Sequence, residues 1–183
     1  TSVSRGLGDV YKRQGKNHDY DSYYGADGSI GAHIMAAMDG TGDFEGTSDT
    51  VRYQGIAKLT VNMGMVGYTI HELNAAIAKA EAGNWGTDDA QHAWDEGWAF
   101  FHGPEANYGC SPAKVMEKRA ADFGTADADG NAATFIATRN AMNDGLTALQ
   151  NEDMQGVTDA RDEVLKNLVC LLYTSELPTT LQV

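Results

Sequence analysis

Six apolar residues, Leu59, Met63, Val66, Ile70, Leu73 and Ile77, recur at alternating spacings of four and three. That spacing follows the turn of an α-helix and cannot line one face of a strand, whose period is two. A second set, Val61, Met65 and Tyr68, followed by Glu72, falls on another face of the same helix. A helix apolar on two faces must bury most of its girth, so it needs partners on several sides. The pattern predicts helix over Val51–Ala82. Gly55, Gly64 and Gly67 each weaken it by about 1 kcal/mol relative to Ala, and they mark places of close packing or a break.

The rest of the chain supplies those partners. Ile30–Asp39 reads as a short helix with Ile30, Ile34 and Met38 on one face, followed by a loop rich in Gly, Thr and Asp over 40–49. Thr87 is expected to cap a helix running to His102, with Asp88 and Asp89 in its first turn and Trp94, Trp98 and Phe101 on one face. Ser111-Pro112 is a cap followed by a first-turn proline, opening a helix to Phe123 with Val115, Met116 and Phe123 facing in; Gly124 stops it. Two more helices are expected over Ala132–Leu149 and Met154–Leu168, with Phe135, Met142, Leu146 and Leu149 inward in the first and Val157, Val164 and Leu168 in the second. No stretch alternates with period two. The fold class predicted is all-α, an antiparallel helical bundle with an irregular N-terminal segment at 15–29 that carries Tyr20, Tyr23 and Tyr24.

The two ends read differently. Asp9–Gln14 back-translates to GAT GTG TAT AAG AGA CAG, and Cys170–Ser175 to TGT CTC TTA TAC ACA TCT. These are nearly reverse complements of each other, and both look like the mosaic end of transposon-based sequencing libraries. Residues 1–14 and 170–183 are therefore read as sequencing-adapter read-through, and 15–169 as a helical domain cut from a longer protein, with further domains or a membrane anchor lost by truncation. Only Cys110 of the two cysteines falls within that domain.

Charge narrows the function. Lys and Arg total 13 against 26 Asp and Glu, a net charge of -13. Such a chain has no basic face for nucleic acid or for an anionic membrane surface, and no apolar run is long enough to insert directly into a membrane. It suits a handler of cations. Glu72 sits on an otherwise apolar stripe, where an isolated carboxylate is costly and calls for a cation, a metal or a proton. A half-exposed Glu72 paired with Arg119 or Arg139 is the alternative. His71 precedes it, about 100° around the helix. His92 and Glu96 are four apart and could share one ion. Asp95 and His102 share a face but lie about 10 Å apart along the axis, too far to share one. Glu96 and Gly97 stand between Trp94 and Trp98, which would exclude water from the acid unless the acids lie on the wet side of the helix. Arg119, beside Lys118 at the edge of an apolar face, could hold a small oxyanion or form a surface salt bridge; Arg139 with Asn143 allows the same two readings. Asp127-Ala128-Asp129-Gly130-Asn131 hints at a calcium loop, but its glycine comes too early and no Glu closes it, so it reads as an ordinary loop.

Tyr68–Ala75, the run Trp94-Asp95-Glu96-Gly97-Trp98-Ala99-Phe100-Phe101-His102-Gly103, and Lys118-Arg119-Ala120-Ala121-Asp122-Phe123-Gly124-Thr125 together resemble the low-iron-inducible periplasmic protein family, algal iron-assimilation proteins that include the phytotransferrins. The resemblance covers most of 19–169, and the Trp-Asp-Glu-Gly-Trp and Lys-Arg blocks are its specific parts. It departs at Ala120 and Ala126, where the family often carries cysteines. The resemblance implies an extracytoplasmic protein, in the periplasmic space or at the cell surface, that takes up ferric iron with a synergistic carbonate and is not an enzyme. The candidate metal residues are Glu72, Asp95, Glu96, His71 and His102, and the candidate anion residues Arg119 and Lys118. Ferric iron is a hard cation that prefers carboxylate, phenolate and some imidazole donors, which suits a chain rich in Asp, Glu and Tyr.

Two other classes stay open. A carboxylate-bridged di-metal enzyme would want paired Glu-x-x-His motifs, but Ala75 follows Glu72 at that spacing and Ala99 follows Glu96. A metal-free structural or adhesive surface module would scatter its acids over the surface.

Overall fold

The computed structural model describes residues 29–104 and 111–175. The N-terminal segment before Ser29, the first proposed adapter stretch at 1–14, Cys110 and the end of the second stretch at 176–183 lie outside the described residues. Every regular element among the described residues is helical. In chain order they are α1 (Ser29–Asp39), a 3-10 turn (Gly42–Phe44), α2 (Asp49–Lys58), a π-helical stretch (Leu59–Met65), α3 (Val66–Glu81), α4 (Ala90–His102), α5 (Pro112–Asp122), α6 (Ala133–Gln150) and α7 (Met154–Ser175). The all-α expectation holds. The chain divides into two compact units, 1–60 and 61–183.

In the first unit α1 packs against α2 and the 3-10 turn. Ser48 caps α2 by accepting from the Val51 N–H. Arg52 ties α2 to the end of α1: its Nε donates to the Ala37 carbonyl at 2.8 Å, and Nη2 donates to the Met38 carbonyl. Gly55 gives up its side chain to the Phe44 ring, which lies 2.5 Å from where a Cβ would stand. Met38 is half exposed, at 52%, so the apolar face of α1 is narrower than its spacing suggested. Ile30 and Ala37 carry the buried side.

The second unit is built on two helical hairpins. α3 packs along α4, α6 packs along α7, and α3 meets α7 while α4 meets α6. Three residues, 151–153, join α6 to α7, a length that forces antiparallel neighbours. α5 lies against α4, α6 and α7. The core is Val66, Leu73, Trp94, Phe101, Met116, Phe135, Met142, Leu149, Val157, Val164 and Leu168, packed among many alanines. The small residues let the helices approach closely. At Gly97 a Cβ would stand 3.0 Å from Leu73 across the α3–α4 seam. At Gly145 it would overlap the Trp94 ring, whose indole Nε1 donates to the Met142 carbonyl at 2.9 Å.

Several local expectations are corrected. The stretch expected as one helix over Val51–Ala82 changes winding at Leu59–Met65, where seven residues form π turns. Gly64 and the β-branched pair Thr60-Val61 hold the α ladder poorly there, and the wider turn absorbs the mismatch. Thr87 does not cap α4. Residues 87–89 form turns, and the amides of Asp89, Ala90 and Gln91 are taken by the carbonyls of Asn84 and Gly86, so the helix starts at Ala90 without a side-chain cap. Ser111 behaves as expected: it is fully buried, accepts from the Lys114 N–H, and precedes Pro112 at the first helical turn. Phe123 falls just past the end of α5 and is 38% exposed rather than inward. α7 runs on past Leu168 to Ser175, because Leu171 keeps the spacing of Val164 and Leu168 and is buried with them.

Candidate functional site

The candidate metal residues come from α3 and α4. On α3 the buried residues are Val66, Thr69, Glu72, Leu73, Ala76 and Ala80, so the helix buries the seam between the two stripes read from the sequence. Glu72 stands on that seam and is only 7% exposed. Its burial agrees with the reading of an acid inside an apolar face. His71 meets the Tyr68 ring edge-on at 5.8 Å, and Tyr68 reaches α4 through Phe100 at 4.9 Å.

On α4 the acids take the wet side. Asp95 is exposed. Glu96 is half-buried and pairs with His92, Oε1 to Nε2 3.6 Å, the one-turn contact that their spacing predicted. Trp94 is buried and Trp98 half-buried, so the indoles face the bundle and its border rather than enclosing the acids. His102 stacks on Trp98, ring centroids 4.7 Å apart, and its Nδ1 lies 3.0 Å from the Gly103 carbonyl. The stack continues to Phe135 on α6, and Arg139 sits over that ring at 5.7 Å. Arg139 is thus engaged by the aromatic face one turn before it on the same helix, an i,i+4 contact.

Lys118 and Arg119 lie on α5 and share one carboxylate oxygen, Asp122 Oδ2, at 3.4 and 3.2 Å. Three- and four-residue spacings make this the local partner, ahead of any acid on another helix. Arg119 is mostly buried, and its Nε has no hydrogen-bond partner. It lines a cavity of about 160 Å3 with Met116, Ala120, Phe123, Thr134 and Leu171 among the other walls. Neither Glu72 nor Glu96 lines that cavity. Among the described residues no three His, Cys, Asp or Glu side chains lie close enough together to hold one metal ion.

The Asp127 loop is an ordinary turn. Asp127 Oδ1 accepts from the amides of Asn131 at 2.8 Å and Asp129 at 3.0 Å. The Asn131 N–H is the main cause that holds this carboxyl below the usual carboxylate range. A second recess between α6 and α7 presents Asp144, Asp159 and Glu163, which the sequence reading did not single out.

Fold and side chains together define an acidic all-α bundle with a buried carboxylate, border imidazoles and a half-sequestered guanidinium. The chain belongs to the low iron-inducible periplasmic protein family, whose sequence pattern matches residues 18–133. The matched stretch holds α1 to α5 and all the candidate metal and anion residues. Membership gives the chain an iron-related role outside the cytoplasm. Neither a curated protein nor a solved structure matches it. Among the described residues no helix is long and apolar enough to cross a membrane.

Proposed function

We propose that the chain binds ferric iron as cargo for uptake, with carbonate as a synergistic anion, and that it is a carrier rather than an enzyme. The observation that carries the reading is Glu72, a carboxylate 7% exposed within the family-matched stretch. Taking a carboxylate out of water is expensive, and a hard trivalent cation is one compensation for it. Glu96, Asp95, His71 and His102 are the further candidate donors in this reading, although among the described residues no three of these side chains converge on one point. Arg119, with its unpartnered Nε–H, is the anion holder, supported by Lys118. Acid would release the iron by protonating carbonate and carboxylates together.

Calorimetric titration of the chain with chelated ferric iron, with and without bicarbonate, tests the proposal. Expected is saturable binding that needs bicarbonate and weakens in Glu72→Gln and Arg119→Gln. No ferric binding in the presence of bicarbonate would end it. A metal-free surface module is the second reading, favoured by the absence of a three-donor group among the described residues. That reading expects the two variants to behave like the parent chain.

A further inference from the structure

Contacts across the α3–α4 seam fix the register of the two helices. The Tyr68 ring of α3 lies 4.9 Å from the Phe100 ring of α4. Further along, a Cβ on Gly97 would meet the Leu73 side chain at 3.0 Å and the Thr69 carbonyl at 3.5 Å. Residue numbers rise on α3 as they fall on α4, so the pair is antiparallel. Glu72 follows Tyr68 by one turn, and Glu96 precedes Phe100 by one turn. The register therefore sets these two acids opposite each other, on the side of the seam that carries Tyr68.

Two carboxylates bring two negative charges, one fewer than a ferric ion carries. Among the described residues no third His, Cys, Asp or Glu side chain completes a metal group. Tyr68 stands one turn from Glu72, within the stretch that matches the iron-related family. Its ring is half-buried and held between two others, Phe100 across the seam and His71 edge-on at 5.8 Å. A ring oriented in this way needs little further ordering to present its oxygen. Phenolate is a hard donor, and with Glu72 and Glu96 it matches a trivalent charge.

We infer that Tyr68 is a phenolate donor to the ferric ion on this seam, beside Glu72 and Glu96. As the iron–oxygen bond forms, the phenolic O–H gives its proton to water, and the iron stays ferric. The inference rests on the ferric-carrier reading and adds a residue that was not among its donors.

The test is titration of the full chain with chelated ferric iron in bicarbonate, followed by calorimetry and by visible absorption. The parent chain is expected to develop a phenolate-to-iron charge-transfer band that saturates together with the heat. Raman excitation within that band should enhance tyrosine ring modes. Tyr68→Phe keeps the ring and its packing on Phe100 but removes the oxygen. It should abolish the band and weaken ferric binding at least about tenfold, with the helical circular dichroism unchanged. Tyr53→Phe, at a 66% exposed position on α2, should keep both the band and the affinity. Ferric heat without a visible band overturns the inference and leaves the carrier reading standing. So does a band that survives Tyr68→Phe, which would assign the phenolate to another tyrosine. No ferric heat at all ends the carrier reading itself, and this donor with it.

Discussion

Replacing Gly145 by Ala adds one methyl group to α6 at the spot already filled by the Trp94 indole. The new Cβ would stand 2.6 Å from Cη2 and 2.7 Å from Cε2 of that ring. Cζ2 lies closer still, and carbon atoms rest about 3.5–4.0 Å apart, so the ring must retreat by roughly 1.5–2 Å. Trp94 is 2% exposed and packed on every side, so it has nowhere to go without displacing neighbours. Forcing a methylene into a full core costs about 1–3 kcal/mol. A retreating indole also loses its bond to the Met142 carbonyl, leaving the Nε1–H buried and unpaired for about 1–3 kcal/mol more, while the carbonyl keeps its place in the α6 ladder. Against this, Ala is better than Gly in a helix interior by about 1 kcal/mol. The net expectation is a destabilisation of about 3 kcal/mol. Gly31 on α1 is the control, because no atom lies within 4 Å of the Cβ it lacks. There the same substitution should stabilise, by about 0.5 kcal/mol. Urea unfolding followed by tryptophan fluorescence and circular dichroism reads both signs. A Gly145→Ala chain as stable as the parent would refute the packing argument, since the propensity gain would then meet no opposing strain.

Ser111→Ala removes the buried cap of α5 and should cost about 1 kcal/mol, read as a lower urea midpoint with an unchanged slope. Gly97→Ala should destabilise by about 1 kcal/mol or more, because Leu73 stands 3.0 Å from the new methyl across the α3–α4 seam; hydrogen exchange of the α3 amides checks it. Asp127 titrates below the usual carboxylate range because the amides of Asn131 and Asp129 and the Asn131 side chain favour its ionised form. The sign follows: its contribution is present above the ordinary carboxylate pKa and disappears as pH falls through the lowered one. Asp127→Asn should therefore flatten the acid limb of loop order, followed by the Asn131 amide resonance between pH 5 and 2. Glu72→Gln, which removes the charge and keeps the volume and a polar end at a buried position, should weaken ferric binding with the urea midpoint near that of the parent; a chain that loses stability instead assigns Glu72 to the scaffold.

The candidate site was legible where chemistry is local. The His92–Glu96 contact follows from one helical turn, and the burial of Glu72 follows from its place on an apolar stripe. The engagement of Lys118 and Arg119 with Asp122 is equally local and realises the salt bridge that was one of the two readings of Arg119, although its partner was not named. The position of Asp95 and Glu96 on the wet side of α4 was not legible. Trp residues before and after them fit either a dry or a wet acid, and only the packing of Trp94 onto α6 chose.

Periodicity alone determined that this chain is helical, and which residues form the core of α6 and α7, because the 3.6-residue turn writes the buried face directly into the spacing of Phe135, Met142 and Leu149 and of Val157, Val164 and Leu168. Capping chemistry added the start of α5 for the same reason, since Ser111 and Pro112 act within one turn. Tertiary structure decided the rest: the π turns at Leu59–Met65, the seat of Trp94 at Gly145, and the cavity on which Arg119 opens. The last two depend on what another helix places against the chain, and a contact between distant residues leaves no mark in the spacing of either one; the π turns come from a change of winding that a fixed helical period does not register.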